Sequence, residues 1–151
     1  MASSVRVQLG AALAGHASPV PDSATRRLMT RAARAALRRE KVSTAELSIT
    51  LLDDAEIAAM NRAYLSREGP TDVIAFALYE QDEDPVGDIY IGFDQALRQA
   101  DTNGVEPREE LARLAVHGTL HVLGHDHPEG GERLSSEMWQ IQEAIVAQVF
   151  A

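Results

Sequence analysis

The stretch TDVIAFALYEQDEDPVGDIYIGF, residues 71–93, decides the fold. Residues 71–79 are mostly apolar and predict one β-strand, and residues 86–93 predict the next. The connection between them, residues 81–85, is polar and acidic. Two consecutive strands joined by such a loop predict an antiparallel hairpin.

Strands and helices alternate before this hairpin, and helices alone follow it. The order β-α-β-α-β-β-α-α-α predicts an α/β (α+β) fold, in which a small mixed sheet of about four strands carries helices packed against it. Residues 1–151 are expected to form one domain, with part of the first 20 residues or so in a loop. The other expected elements are strands at residues 5–9 and 46–52, and helices at residues 22–40, 53–64, 94–101, 107–124 and 132–149.

The composition fits a soluble globular domain, with 45% hydrophobic and 25% charged residues. Cys is absent, so any metal must be bound through His, Asp or Glu. The Ala-rich run near the N-terminus lacks the basic region of a secretory signal. No apolar stretch approaches the roughly 18–20 residues that a membrane span requires. We therefore expect a cytoplasmic protein that makes no membrane contact.

Four of the five histidines lie in HGTLHVLGHDH, residues 117–127. His117 and His121 are four residues apart, so on a helix their imidazoles share one face. Gly124 can end that helix in the left-handed conformation and turn the chain so that His127 approaches the other two. Three neutral imidazoles with one open position are typical of a catalytic zinc site, where bound water ionises near neutral pH. We predict one Zn²⁺ per chain, with His117, His121 and His127 as its ligands and as catalytic residues.

The residues around these histidines carry weaker signals. His125 is expected to point into solvent, and Asp126 either orients an imidazole or stabilises the turn. The spacing matches the His-Glu-x-x-His-x-x-Gly-x-x-His run of metzincin proteases. However, Gly118 stands where those enzymes have the Glu that acts as general base, which argues against a protease of that kind.

Three blocks of the sequence resemble the YbeY family of bacterial endoribonucleases and rRNA maturation factors. They are NRAYLSREGPTDVIAF at residues 61–76, GDIYI at residues 87–91 and HGTLHVLGHDH at residues 117–127. With the surrounding elements, the likeness covers nearly the whole chain after the first 20 residues or so. The resemblance implies a zinc-bound hydrolase, an endonuclease for single-stranded RNA that acts in 16S rRNA 3′-end processing and ribosome quality control. It also makes the three histidines the metal ligands, and Thr71 and Asp72 part of the segment that shapes the cleft.

The sequence departs from the family pattern at Leu65, Ala75 and His125, where the family has Arg, Ser and Tyr. The first departure matters most, because a guanidinium can hold a phosphate through two hydrogen bonds and leucine cannot. Arg67 is our candidate for the missing catalytic arginine, and Arg62 is the alternative.

The charge distribution bears on RNA binding. The net charge of −9 opposes phosphate binding over the whole surface, yet seven of the fourteen basic residues lie between Arg26 and Lys41. Four of them form one stripe on the predicted helix, namely Arg27, Arg31, Arg34 and Arg38. The stripe is either a solvated outer face or a strip that contacts phosphates of rRNA or ribosomal particles.

Three functions remain open at this point. The leading one is metal-assisted cleavage of an RNA phosphodiester. The second is a ribosome-associated assembly factor in which zinc mainly supports the fold and the binding surface. The third is a small metallohydrolase of another substrate, since fold and metal do not fix the substrate.

Overall fold

A computed structural model of the chain describes residues 3–15, 21–126 and 136–151. The strands in this part of the chain are β1 (Ser4–Leu9), β2 (Glu46–Leu52), β3 (Val73–Ala77) and β4 (Val86–Gly92). The helices are α1 (Ala11–Ala14), α2 (Ser23–Arg39), α3 (Asp54–Leu65), α4 (Phe93–Asn103), α5 (Pro107–Val122) and α6 (Glu137–Val149).

The four strands form one mixed sheet in the order β1-β2-β4-β3. β2 pairs in parallel with β1 and β4, whereas β3 pairs antiparallel with β4 at the edge. The expected mixed sheet and hairpin are therefore confirmed. The short helix α1 was not predicted. Its four residues have a single buried side chain, Leu13, and are too few to show a helical repeat of apolar residues. The predicted start of the last helix, residues 132–135, lies outside the described residues.

Local sequence explains where the helices begin and end. Asp22 caps α2 by accepting a hydrogen bond from the Thr25 N–H at 2.9 Å. Asp53 and Glu56 form a reciprocal capping box at the start of α3. Gly104 follows α4 with a φ of +67°, a conformation that glycine adopts without steric cost.

Helix α5 is the centre of the molecule. It packs on β3 and β4 and is flanked by α2, α4 and α6. The main core joins the sheet to these helices through residues such as Met29, Ile49, Ile91 and Leu111. α3 covers part of the opposite sheet face, where Ile57 meets Leu52 and Ile74. The helix that carries two of the three predicted metal ligands, His117 and His121, is thus held on several sides.

Helix α5 approaches β4 closely because glycine occupies position 87. A Cβ on Gly87 would lie 2.6 Å from the methyl groups of Val122. The glycine that begins the Gly-Asp-Ile block is therefore a packing requirement of the fold. Within the described residues, no helix has both the length and the apolar character that crossing a lipid bilayer requires.

Candidate metal centre

Helix α5 places His117 and His121 on one face, as predicted. The helix begins at Pro107, with Glu109 and Glu110 in its first turn, where negative charge is favourable. His117 is buried, with 3% of its surface exposed, and His121 is half-buried. Gly124 follows with a φ of +100°, which confirms the predicted left-handed turn.

Hydrogen bonds to acceptor oxygens determine the tautomer of both imidazoles. His121 Nδ1 lies 2.9 Å from the carbonyl oxygen of His125, which can only accept, so Nδ1 carries the proton. His117 Nδ1 lies 2.6 Å from Gln142 Oε1 and donates to it in the same way. The two Nε2 atoms are 3.0 Å apart. In the neutral imidazoles both Nε2 atoms therefore carry lone pairs that point toward one place.

This donor set fits a zinc ion. Two imidazole nitrogens bound to one tetrahedral Zn²⁺ at about 2.0–2.1 Å lie roughly 3.3 Å apart, close to the 3.0 Å between the Nε2 atoms here. Two lone pairs at this distance repel each other, and a bound cation would relieve that repulsion. Ligating histidines usually donate their other N–H to a carbonyl or carboxylate, as both do here.

The predicted third ligand, His127, lies outside the described residues. Within residues 3–15, 21–126 and 136–151, no three His, Asp or Glu side chains converge as a metal site. The structure therefore brings together two of the three predicted ligands, and the role of His127 stays a prediction.

A partly buried ionic network lies behind His117. Arg113 donates to Glu143 from Nε at 2.8 Å and from Nη2 at 3.1 Å, and to Glu110 from Nη1 at 2.8 Å. Burial lowers the pKa of Arg113, but its hydrogen bonds to Glu143 and Glu110 outweigh this effect and raise the pKa above its ordinary value. Gln142, 1% exposed, joins His117 to the network by donating from Nε2 to Glu143 Oε2 at 3.0 Å.

Cavities lie on two sides of the histidine pair. A cavity of about 440 Å³ is lined by His117 and Asp72, with Trp139 and the polar residues of the network. A groove of about 340 Å³ is lined by His121, Leu65 and the edge strand β3. The imidazoles therefore lie between two spaces that could receive neighbouring parts of an extended substrate.

The groove beside His121 is lined by all three residues that depart from the family pattern, Leu65, Ala75 and His125. Leu65 ends α3 and is 45% exposed. The residues that line the groove include Leu65 and neither Arg62 nor Arg67, although both arginines are exposed. The buried Asn61 donates from Nδ2 to the Gly69 carbonyl at 3.0 Å and so fixes the loop that carries Arg67.

The structure corrects the expectation for His125 and excludes one of the two alternatives for Asp126. His125 is half-buried and does not point freely into solvent, because its Nε2 pairs with Glu40 Oε1 at the end of α2. Asp126 Oδ1 lies 4.0 Å from His121 Nδ1, too far for a hydrogen bond, and its side chain is 98% exposed. The backbone carbonyl of His125 orients His121 instead.

The basic stripe on α2 is exposed at Arg27, Arg31 and Arg38. Arg34 is partly buried and donates from Nη1 to the Ser3 carbonyl at 2.8 Å, so its role is structural. Arg27 and Arg31 line a groove of about 290 Å³ together with Arg108 of α5. The pattern on α2 alone could not reveal Arg108, because it lies on another helix.

Gln142 was also missed, although the sequence carries a signal for it. The buried side chains of α6 recur at helical spacing at Met138, Gln142, Ile145 and Val146. A polar residue at a core position of such a stripe indicates a buried hydrogen-bond partner.

Comparison with known proteins supports the sequence resemblance. The family model described as Endoribonuclease YbeY matches residues 14–149. The chain is 42% identical over 115 residues to the Endoribonuclease YbeY of Desulfitobacterium hafniense, covering 70% of this chain and 72% of that one. It is 35% identical over 134 residues to that of Persephonella marina, covering 84% and 85%. A solution structure from Thermotoga maritima matches with a TM-score of 0.65 at 23% identity over 97% of this chain and 89% of that one, which shows a shared fold.

Proposed function

The chain belongs to the YbeY family of endoribonucleases, hydrolases that act on RNA, and we propose that it cleaves single-stranded RNA with a zinc ion held by His117, His121 and His127. The observation that carries the zinc proposal is the pair of Nε2 atoms 3.0 Å apart, each on an imidazole whose Nδ1 donates to a fixed oxygen. The resemblance of the three sequence blocks suggests the finer substrate, ribosomal RNA near the 3′ end of 16S rRNA, and a cytoplasmic site of action.

The described residues have separate roles in the proposed cleavage reaction. A bound zinc ion would supply Lewis acidity toward a phosphoryl oxygen. His117 and His121 hold two lone pairs in place before binding, so little reorganisation is needed. Gly118 offers no carboxylate beside His117, so the proton of the attacking water or RNA 2′-hydroxyl must pass to a group outside the position that metzincins use.

A phosphate-holding arginine is part of the same proposal. Since Leu65 cannot bind phosphate, we assign this role to Arg67, with Arg62 as the alternative. Both are exposed near the end of α3, the helix that Leu65 terminates. Arg67→Ala is expected to lower single-strand cleavage at least tenfold, and Arg62→Ala by less. The reverse order would transfer the role to Arg62.

Metal analysis combined with RNA cleavage tests the function. Purified wild-type protein should contain about one zinc ion per chain and cut a single-stranded RNA in preference to the same sequence in a duplex. His121→Ala should lose both the zinc and the cutting. Undiminished cutting by His121→Ala, in preparations checked for contaminating nuclease, would exclude a metal-dependent reaction at this site.

The groove lined by Arg27, Arg31 and Arg108 favours a second candidate function, a ribosome-associated assembly factor in which zinc mainly supports the fold. Three guanidinium groups on one groove suit RNA phosphates despite the net negative charge. Arg31→Glu combined with Arg108→Glu should weaken binding to ribosomal particles and make it less dependent on salt. Arg39→Glu combined with Arg6→Glu is the matched control, because both residues are exposed outside the groove and the net charge changes by the same amount. Equal binding by all the variants would remove this candidate.

A further inference from the structure

We propose that Gln142 and Glu143 of α6 are positioning residues that fix the tautomer and orientation of His117 for metal binding. The inference rests on the proposed metal site. It adds that residues of α6 orient His117, a ligand that lies on α5. It follows from which atoms in the network can donate a hydrogen bond and which can only accept one.

Glu143 can only accept hydrogen bonds. Its carboxylate receives two hydrogen bonds from Arg113, at 2.8 and 3.1 Å, in the side-on geometry that a guanidinium offers to a charged carboxylate. An ionised carboxylate has no proton to donate. The group that lies 3.0 Å from Glu143 Oε2 in the Gln142 side chain must therefore be the amide NH₂, Nε2.

Gln142 transmits this constraint to His117. With Nε2 directed to Glu143, the Gln142 amide presents Oε1 to His117 Nδ1 at 2.6 Å. An amide oxygen can only accept, so Nδ1 must carry the proton and Nε2 the lone pair. A reversed amide would place an NH₂ group against Nδ1 and leave Glu143 facing an oxygen, which its charge opposes.

Burial makes the alternative arrangements costly. Gln142 is 1% exposed and His117 is 3% exposed, so water cannot readily replace a lost partner. Glu143 itself is held by an arginine that also binds Glu109 and Glu110 of α5. Gln142 is therefore oriented by a charge network that links α5 to α6.

The two histidines differ in what orients them. His121 donates to a backbone carbonyl only four residues away, so its tautomer depends on the local turn. His117 depends on a side chain 25 residues away in the sequence. Substitution of side chains can therefore release His117 and leave His121 in place.

The test reads the tautomer of His117 and the zinc affinity separately. In metal-free protein at about pH 8, where neutral imidazole predominates, ¹⁵N NMR of the side chains should show the Nδ1–H form for His117 in the wild type. Gln142→Leu should shift His117 toward the Nε2–H form and weaken zinc binding about 10- to 100-fold, measured by competition with a chelator. Glu143→Gln should produce a mixture of tautomers, because a neutral amide no longer dictates how Gln142 turns.

Glu109→Gln is the matched control. Glu109 accepts a hydrogen bond from Nη2 of the same arginine at 3.0 Å, but it makes no hydrogen bond with Gln142. This variant should weaken the network without changing the tautomer of His117. Its zinc affinity should stay within about twofold of that of the wild type. If Gln142→Leu does not fold, Glu143→Gln, which preserves side-chain size, answers the same question.

The outcomes separate this inference from the proposed function. Retention of the Nδ1–H form in both Gln142→Leu and Glu143→Gln would overturn it, and so would a tautomer shift without any loss of zinc affinity. A loss of affinity without a tautomer shift would also overturn it, because the residues would then act only through the fold. Wild-type protein that binds no zinc would contradict the metal site itself, whereas the tautomer measurement would still decide what orients His117.

Discussion

Gly118 of α5 lies directly against Ile89 of β4, so that a Cβ at position 118 would come within 2.6 Å of Ile89 Cγ2. Real Cβ atoms do not approach a buried neighbour this closely, and Ile89 is fully buried. The glycine that follows His117 is therefore required by the packing of the helix on the sheet. A glutamate at this position, as in metzincin proteases, would have to push the helix off the sheet, so the loss of that general base is built into the architecture.

Gly118→Ala is expected to destabilise the protein by roughly 1–3 kcal/mol through overpacking. In an exposed helix the same change would stabilise by about 1 kcal/mol, because alanine is the better helix former. The free energy of unfolding, measured with urea, checks the sign. The loss of unfolding free energy caused by Gly118→Ala should be smaller in a protein that also carries Ile89→Ala. Equal losses with and without Ile89→Ala would show that the contact between position 118 and Ile89 is not the cause.

Leu65→Arg is expected to increase RNA binding and cleavage about tenfold, equivalent to about 1.4 kcal/mol. The substitution places a guanidinium in the groove beside His121, where a phosphate could accept two hydrogen bonds. Leu97→Arg is the control, because Leu97 is also exposed, does not line this groove and gives the same change in net charge. Equal gains in the two variants would indicate a general charge effect, which would fade as salt is added.

Much of the site could be predicted from the sequence, because local geometry sets it. The spacing of His117 and His121 and the left-handed turn at Gly124 depend only on neighbouring residues. The partners of His117 and His125 could not be predicted in this way. Gln142 and Glu40 lie 25 and 85 residues from them, and tertiary packing alone brings them together. The same limit hid Arg108, which meets the α2 stripe only in the folded chain.

Arg113→Met is expected to cost about 3–5 kcal/mol of unfolding free energy, since it leaves the buried carboxylate of Glu110, only 3% exposed, without its cation. Adding Glu110→Gln should recover part of this loss. Arg98→Met provides a comparison, because Arg98 pairs with Asp54 at 2.8 Å where both side chains are about half exposed. That variant should change the free energy of unfolding far less, because solvent screens an exposed ion pair. Similar losses for Arg113→Met and Arg98→Met would contradict the importance of burial.

Asp22→Ala should lower the melting temperature at pH 7 and have less effect in acid. The backbone N–H of Thr25 lowers the pKa of the Asp22 carboxyl from its ordinary value of 3.8, and the charge of Arg26 adds to this. A lowered folded-state pKa means that the stabilisation is fully present above about pH 3.8 and is lost as the pH falls through the folded-state value. Melting curves of wild type and variant from pH 7 to pH 2.5 should therefore converge. An unchanged difference across this range would assign the effect to something other than the ionised cap.

The link from His117 to Gln142 also imposes an order of assembly. During synthesis the ribosome releases the α5 histidines before it releases α6, yet one of those histidines takes its orientation from α6. A nascent chain that ends between the two helices would hold His117 without its acceptor and would compete poorly for zinc with the rest of the cell. Metal loading would then report that α6 has docked on α5.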